Sequence, residues 1–352
     1  MSKPQKTIGI LCGGGDAPGL NPVIRAVIKY GVGQRGWRLI GIEDSFNGLF
    51  EQPYRIQALT PVSCRGILQR GGTILGTTNH GNPFNYADGQ DRSAQVVEAL
   101  RDLGIDGLIV IGGDGSMKIC QQLMEERGLK IVGVPKTIDN DLSATDLTFG
   151  FQSAVDCATD ALDRLHTTAA SHDRVQVLEV MGRDAGWIAL HAGIAGGADA
   201  VILPEIPWEA ERVVRKIEER RAIGRPFSLV IVAEGAVPNG ERVSPGKAGQ
   251  NVVDAIERLL PSAEVRLTVL GHLQRGGSPV AFDRLLATRL GVGAVDLVEA
   301  GRWGEMVCLR NGRIEGVPIL DAISTYRRVQ PDEDLLRTAR AVGIELGAAP
   351  QG

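Results

Sequence analysis

A chain of 352 residues with 43% hydrophobic and 23% charged side chains has the balance of a globular protein, which excludes disorder and collagen-like structure. It is longer than a single hydrophobic core usually grows, so two domains are expected. A formal net charge of -4 and only 4% aromatics supply neither a basic phosphate-tracking surface nor base-stacking platforms, which excludes nucleic acid as a partner.

The first residues, MSKPQK, lead into only a short apolar run from Ile8 to Cys12, too brief for a secretory segment or a membrane span. No membrane and a cytoplasmic location are therefore expected. Thr7–Cys12 reads as a strand, Asn21–Gly31 as a helix, Arg38–Ile42 as a strand, Ala94–Leu103 as a helix and Gly107–Ile111 as a strand. Helix Ser116–Glu126, strand Lys130–Val134, helix Ser153–Thr168 and strands Val175–Met181 and Ala200–Leu203 follow. Helix Trp208–Arg221, strands Phe227–Ala233 and Val265–Leu270, helix Arg284–Ala300 and a last helix from Asp332 to Leu346 complete the pattern. Pro238–Gly249 is polar and glycine-rich and reads as a surface loop. Short β-branched runs alternating with helices long enough to cross over predict α/β architecture with mostly parallel sheets. The cysteines, at 12, 64, 120, 157 and 308, are odd in number and never spaced as CxxC, so they indicate neither a zinc knuckle nor a disulfide framework.

The 46 glycines cluster where strands end, the edge at which open α/β sheets bind ligands. Cys12-Gly13-Gly14-Gly15-Asp16-Ala17-Pro18-Gly19-Leu20-Asn21-Pro22 reads strand, loop, helix, with Asn21 as N-cap and Pro22 at the first helical position. Residues without side chains let backbone N–H groups approach an anion at the positive helix end. Tight strand-to-helix packing asks for glycine equally, so this loop alone leaves both readings open. Ile111-Gly112-Gly113-Asp114-Gly115-Ser116 adds a carboxylate to a second such nest, which suits Mg²⁺ standing between Asp114 and phosphates. Helix capping is the other use for Asp114. Such loops also resemble those of NAD kinases and diacylglycerol kinases, so they point to phosphoryl transfer without naming the acceptor.

In Pro135-Lys136-Thr137-Ile138-Asp139-Asn140-Asp141 a hydroxyl and two carboxylates occupy alternate positions, and an extended backbone would aim them to one side. Two like charges so close are costly to bury without protons, cations or a metal. Phosphoryl transfer needs a carboxylate to take the acceptor's proton, and Asp139 is the candidate base. A solvated acidic turn is the plainer alternative.

GGGDAPGLN (13–21), GGTILGTT (71–78), IGGDGS (111–116), PKTIDND (135–141), VMGRDAGW (180–187) and GHLQRGGSP (271–279) together resemble the phosphofructokinase family, in its order and across most of the chain. The resemblance implies two Rossmann-like three-layer α/β domains with mostly parallel sheets and an active-site cleft between them. Residues 1–150 plus about 274–324 would bind the donor nucleotide, and 151–273 plus about 325–352 the sugar phosphate. It implies transfer of the γ-phosphoryl group of ATP to the 1-hydroxyl of fructose 6-phosphate, with Mg²⁺, in a homotetramer or homodimer. Asp139 then matches the catalytic base, with Thr137 and Asp141 beside it, and Asp114 the metal-site carboxylate. Gly15, Gly113, Gly115 and Ser116 match the donor-phosphate loops. Arg174, Met181, Gly182, Arg183, Glu234, Arg266, His272 and Arg275 match the sugar-phosphate set, with Arg174 and Arg266 supplied by a neighbouring subunit. Arginine and histidine suit a dianion, whereas Glu234 can only accept from hydroxyls. Without the resemblance, Arg174 and Arg266 read as surface charges and His272 as a structural histidine.

Two departures bear on the donor. ATP-using members resemble this chain at Gly115, while pyrophosphate users resemble it at Lys136; an open position 115 leaves room for a nucleotide, and Lys136 need only pair with a phosphate, so ATP is favoured. Asn79-His80 stand where many ATP-using relatives carry an arginine, leaving the neutralising cation to Arg25 or Lys136. A pyrophosphate-dependent phosphotransferase, a non-catalytic regulatory subunit and a kinase for another sugar phosphate are the alternatives.

Overall fold

The structure, a computed structural model, describes residues 5–237 and 247–348. Positions 238–246 of the expected surface loop lie outside the described residues. The chain runs β1 (Thr7–Cys12), α1 (Leu20–Val27), β2 (Arg38–Ile42), β3 (Ile56–Leu59), α2 (Ser93–Asp102), β4 (Gly107–Gly112), α3 (Asp114–Arg127), β5 (Ile131–Thr137) and β6 (Phe149–Gly150). Then come α4 (Phe151–His172), β7 (Val175–Val180), α5 (Trp187–Ala195), β8 (Ala200–Ile202), α6 (Ala210–Ala222), β9 (Ser228–Ala233), α7 (Ala248–Leu259) and β10 (Val265–Val269). The last elements are α8 (Ala281–Glu299), β11 (Glu305–Arg310), β12 (Arg313–Pro318), α9 (Ile319–Ser324) and α10 (Asp334–Ala341).

Two compact units divide these elements: Met1–Ile138, Leu142–Gln152 and Arg275–Tyr326 form the first, and Asp139–Asp141, Ser153–Gln274 and Arg327–Gly352 the second. In the first, an eight-stranded sheet has the order β12-β11-β5-β4-β1-β2-β3, with β6 beside β5. Its strands pair in parallel except β2 with β3 and β11 with β12. Both faces are covered, which is why β1, β4 and β5 are buried along their whole length and read as continuous apolar runs. Ile8, Ile10, Ile109 and Ile111 pack with Ile24 and Val27 of α1 and Leu290 and Ala294 of α8. The alternate residues Leu11, Leu108 and Val110 pack with Val96 of α2 and Cys120 and Leu123 of α3. Period-two alternation thus sorts one strand's side chains into two cores and makes three layers.

In the second unit β10-β7-β9-β8 are all parallel. Val175, Val177, Val230 and Val232 pack with Val213 and Ile217 of α6 and Val252 and Ile256 of α7, while α5 lies against β8 and β9. The expected mixed α/β fold with mostly parallel, Rossmann-like sheets is what the chain adopts. Among the described residues no helix is long and apolar enough to cross a membrane, and all five cysteines are free thiols.

Strand order fixes where ligands can approach. After β1 the first unit builds outward through β2 to β3, then returns to lay β4 on the other side of β1. The carboxyl ends of β1 and β4 therefore flank a topological switch point, where the loops diverge and leave a crevice. In the second unit β9 and β10 lie on opposite sides of β7.

Candidate active site

The two glycine loops leave β1 and β4 side by side. Gly13 N donates to Ile111 O at 2.8 Å and Gly14 N to Thr78 O at 3.1 Å, while Thr77 Oγ1 donates to Cys12 O at 3.3 Å and Gly14 O at 2.5 Å. Glycine leaves room at 13, where a Cβ would lie 2.7 Å from Ser116 Oγ and Ser116 would have to shift. Glycine is not required at 115, where a Cβ would meet no atom within 4 Å.

Several predicted residues converge on this crevice. Lys136, at the end of β5, is buried and donates from Nζ to Gly15 O. Arg275 Nη1 donates to Asp16 O at 3.1 Å and stands 2.9 Å from where a Gly15 Cβ would be; Asn79 Oδ1 is 3.8 Å from the same point. Arg275 therefore sits against the loop after β1, in the unit that carries the glycine loops rather than in that of Glu234. His80 is exposed, and its backbone amide donates to Thr78 Oγ1 at 3.0 Å. Cys12, fully buried behind the loop, has its thiol pushed up to about 11 by burial, offset in part by its Thr73 contact and the charge of Lys136.

Asp114 opens α3, with Gly113 preceding it as cap. Its Oδ2 accepts from Tyr326 OH at 2.6 Å and pairs with Lys118 Nζ at 2.8 Å. That pairing raises Lys118 above the usual lysine range, and the bond to Asp114 raises the Tyr326 phenol. No group of three or more His, Cys, Asp or Glu among the described residues could cage a metal. One carboxylate beside two amide-rich loops nevertheless fits Mg²⁺, which is characteristically bound by one or two carboxylates together with substrate phosphates.

Two local expectations are corrected. Gly19, at φ 117, caps α1, and the helix begins at Leu20. Asn21 is instead fully buried: Nδ2 donates to Arg70 O (3.0 Å) and Gly71 O (3.3 Å), and Oδ1 accepts Ile74 N (2.8 Å). It ties the GGTILGTT segment to α1. The extended run expected through Thr137, Asp139 and Asp141 ends with β5 at Thr137, because Asn140 takes a left-handed φ of 52°.

In the second unit the carboxyl end of β7 turns sharply through Gly182 (φ 144) and Arg183 (φ 53). Glu234 Oε1, just after β9, accepts Gly182 N at 3.2 Å and Arg183 N at 2.9 Å, and Gln274 Oε1 accepts Met181 N at 2.8 Å. Asp139 is 3% exposed, with Arg183 Nε 3.5 Å from its Oδ2. Asp139, Met181, Gly182, Arg183 and Glu234 are thus brought together. Gln274, buried and with Nε2 unpaired, and Glu179, whose carboxyl is raised by burial, offset in part by the Gly249 N–H it accepts, and raised further by Glu234, are site neighbours that sequence reasoning missed. Asp141 O accepts Arg327 N at 2.8 Å, Arg327 O accepts Trp187 Nε1 at 3.2 Å, and the Arg327 guanidinium lies over the Trp187 ring at 4.8 Å.

His272 is exposed in the single turn Gly271–Arg275. Arg174 and Arg266 lie at the amino ends of β7 and β10, and both donate to Glu264 Oε1, at 2.8 and 2.6 Å. A six-residue strand spans roughly 20 Å, so these arginines stand at the opposite edge of the sheet from Gly182 and Glu234.

The comparisons with known proteins agree with this fold. The family model described as Phosphofructokinase matches residues 7–298. The chain is 49% identical over 356 residues to ATP-dependent 6-phosphofructokinase 1 of Synechocystis sp., covering 97% of this chain and 98% of that one. It is 50% identical over 358 residues to the ATP-dependent 6-phosphofructokinase of Chloroflexus aggregans, covering 99% of each. A solved phosphofructokinase from Saccharomyces cerevisiae superposes with a TM-score of 0.81 at 32% identity, covering 96% of this chain; this chain spans 47% of that one.

Proposed function

Because this chain belongs to the phosphofructokinase family, we propose that it is an ATP-dependent 6-phosphofructokinase, which moves the γ-phosphoryl group of ATP to the 1-hydroxyl of fructose 6-phosphate and yields fructose 1,6-bisphosphate and ADP. The observation that carries the reading is Asp139, a carboxylate 3% exposed and paired with Arg183 at 3.5 Å, in a loop that opens directly from a strand ending in Lys136 and Thr137.

Asp139 takes the proton of the sugar hydroxyl as the oxygen attacks, with Arg183 paired to it at 3.5 Å. Gly15, Gly113, Gly115 and Ser116 hold the donor phosphates through backbone N–H groups and a hydroxyl at the switch point, with Asn79 and His80 flanking. Lys136, donating to Gly15 O, supplies positive charge to the phosphoryl group as it moves. Asp114 would hold Mg²⁺, which would offset the negative charge of the donor phosphates. Thr137, Asp141, Met181, Gly182, Glu234, His272 and Arg275 orient the sugar phosphate. Arg174 and Arg266, on the far edge of their own sheet, serve the 6-phosphate of a neighbouring subunit, so the active species is a homo-oligomer. A cytoplasmic location fits these substrates.

Position 115 favours ATP over pyrophosphate, since it is open and uncharged, and the Synechocystis and Chloroflexus relatives are ATP-dependent by name. Lys136, buried beside the Gly15 carbonyl, is what favours the second reading, a pyrophosphate-dependent phosphotransferase. A coupled assay with each donor at equal concentration separates them, and turnover with pyrophosphate alone would overturn the ATP assignment. Asp139→Asn should lower kcat by on the order of 10²–10⁴. A parental rate in that variant across neutral pH would refute the role of Asp139.

A further inference from the structure

Beyond α9 the chain makes a contact that the reaction as described does not use. Tyr326 and Leu142 form an antiparallel bridge, and Thr325 Oγ1 bonds Ser143 Oγ at 3.0 Å. The backbone of Tyr326 is thereby fixed beside the residues that follow Asp141. From this seat its side chain reaches Asp114, 212 positions away in sequence, donating to Oδ2 at 2.6 Å. Lys118 Nζ meets the same oxygen at 2.8 Å and lies 3.2 Å from the Tyr326 hydroxyl, with its ammonium 5.2 Å from the ring centroid.

Two donors on one oxygen, one of them charged, fix the torsions of a side chain that would otherwise sample several rotamers. With Oδ2 engaged, Oδ1 is the acceptor left to meet a divalent cation. Ligating carboxylates are usually oriented by such outer hydrogen bonds, and a preorganised ligand avoids an ordering cost on binding.

We propose that Tyr326 is a positioning residue for the donor site: its hydroxyl, backed by Lys118, holds the Asp114 carboxylate in register for the cation that accompanies the donor phosphates. The inference rests on the reading of Asp114 as the metal-site carboxylate.

The test is Mn²⁺ binding to the full chain, followed by electron paramagnetic resonance with the β,γ-imido analogue of ATP present. Tyr326→Phe keeps the ring and the backbone bridge but removes the donor, and should weaken Mn²⁺ binding about 10-fold, in the range seen for outer-shell changes. In turnover, half-saturation by Mg²⁺ should rise by a similar factor while KM for fructose 6-phosphate stays unchanged. In an Asp114→Asn background, Tyr326→Phe should have no further effect on Mn²⁺ binding, because the hydroxyl then has no carboxylate to orient. Unchanged Mn²⁺ binding in the single variant, or an undiminished loss in the Asp114→Asn background, would overturn the proposal. A wild-type chain that fails to phosphorylate fructose 6-phosphate with ATP would refute the kinase reading itself. Wild-type turnover with Tyr326→Phe indifferent to the metal would refute this inference alone.

Discussion

Gly115→Asp separates what the fold requires from what the donor requires. Gly115 is the second residue of α3, exposed, and a Cβ added there meets nothing within 4 Å. Its backbone does not occupy the left-handed region, so the substitution brings no strain. A carboxylate in a first helical turn is in fact favourable, by about 0.3–1 kcal/mol. The effect on ATP has the opposite sign. An added negative charge about 4–6 Å from a phosphate charge costs roughly 3–4 kcal/mol at an effective dielectric constant of about 20. That corresponds to a loss of roughly 10²–10³ in kcat/KM for ATP. Steady-state kinetics with fructose 6-phosphate held saturating, run beside thermal melts, provides the assay. A kcat/KM for ATP within threefold of the parent, in a protein with unchanged Tm, would refute the electrostatic reasoning. A Tm lowered by many degrees would refute the premise that the fold leaves this position open.

Asn21→Ala removes three hydrogen bonds from a fully buried amide and leaves Ile74 N and the carbonyls of Arg70 and Gly71 without those partners. With buried groups costing about 1–3 kcal/mol each when unsatisfied, a loss of about 2–4 kcal/mol is expected in urea unfolding, and a change below about 1 kcal/mol would refute the anchoring role. Cys12 carries a pH dependence of definite sign. Its thiol titrates near 11 in the folded chain against an ordinary 9.0, so above pH 9 the native state keeps a proton that the unfolded chain releases. Stability relative to Cys12→Ala should be constant below pH 9 and fall as pH rises toward 11, by on the order of 2–3 kcal/mol at most. Parallel stability curves for the two proteins between pH 8 and 11 would show that the thiol is not sealed from solvent.

Much of this was legible because parallel strands covered on both faces announce themselves. The buried runs of β1, β4, β7 and β9 lie within a residue or two of where β-branched composition put them. Elements at the margins were not. β3 is a half-exposed edge strand without alternation, and α5 is apolar all round, so neither pattern has the periodicity that sequence reading depends on. The last helix ends early for a reason that is tertiary: Gly343 turns left-handed, Ile344 N closes on Ala339 O, and Glu345 pairs with β8 through Val201 N. Site chemistry shows the same division. The glycine loops and the TIDND segment are local signals, and they stood out. Asn21, Gln274 and Tyr326 act through partners tens to hundreds of positions away, and a lone Tyr in a polar tail offers nothing to notice.

Glu264 holds two guanidinium groups with a single carboxylate oxygen, which keeps a pair of cations quiet on an otherwise accessible edge. On the proposed reading, in which the 6-phosphate of a neighbouring subunit's sugar docks on these arginines, the ester would have to displace that resident anion, and a doubly ionised phosphate would outbid one carboxylate for both forks where a singly charged one would not.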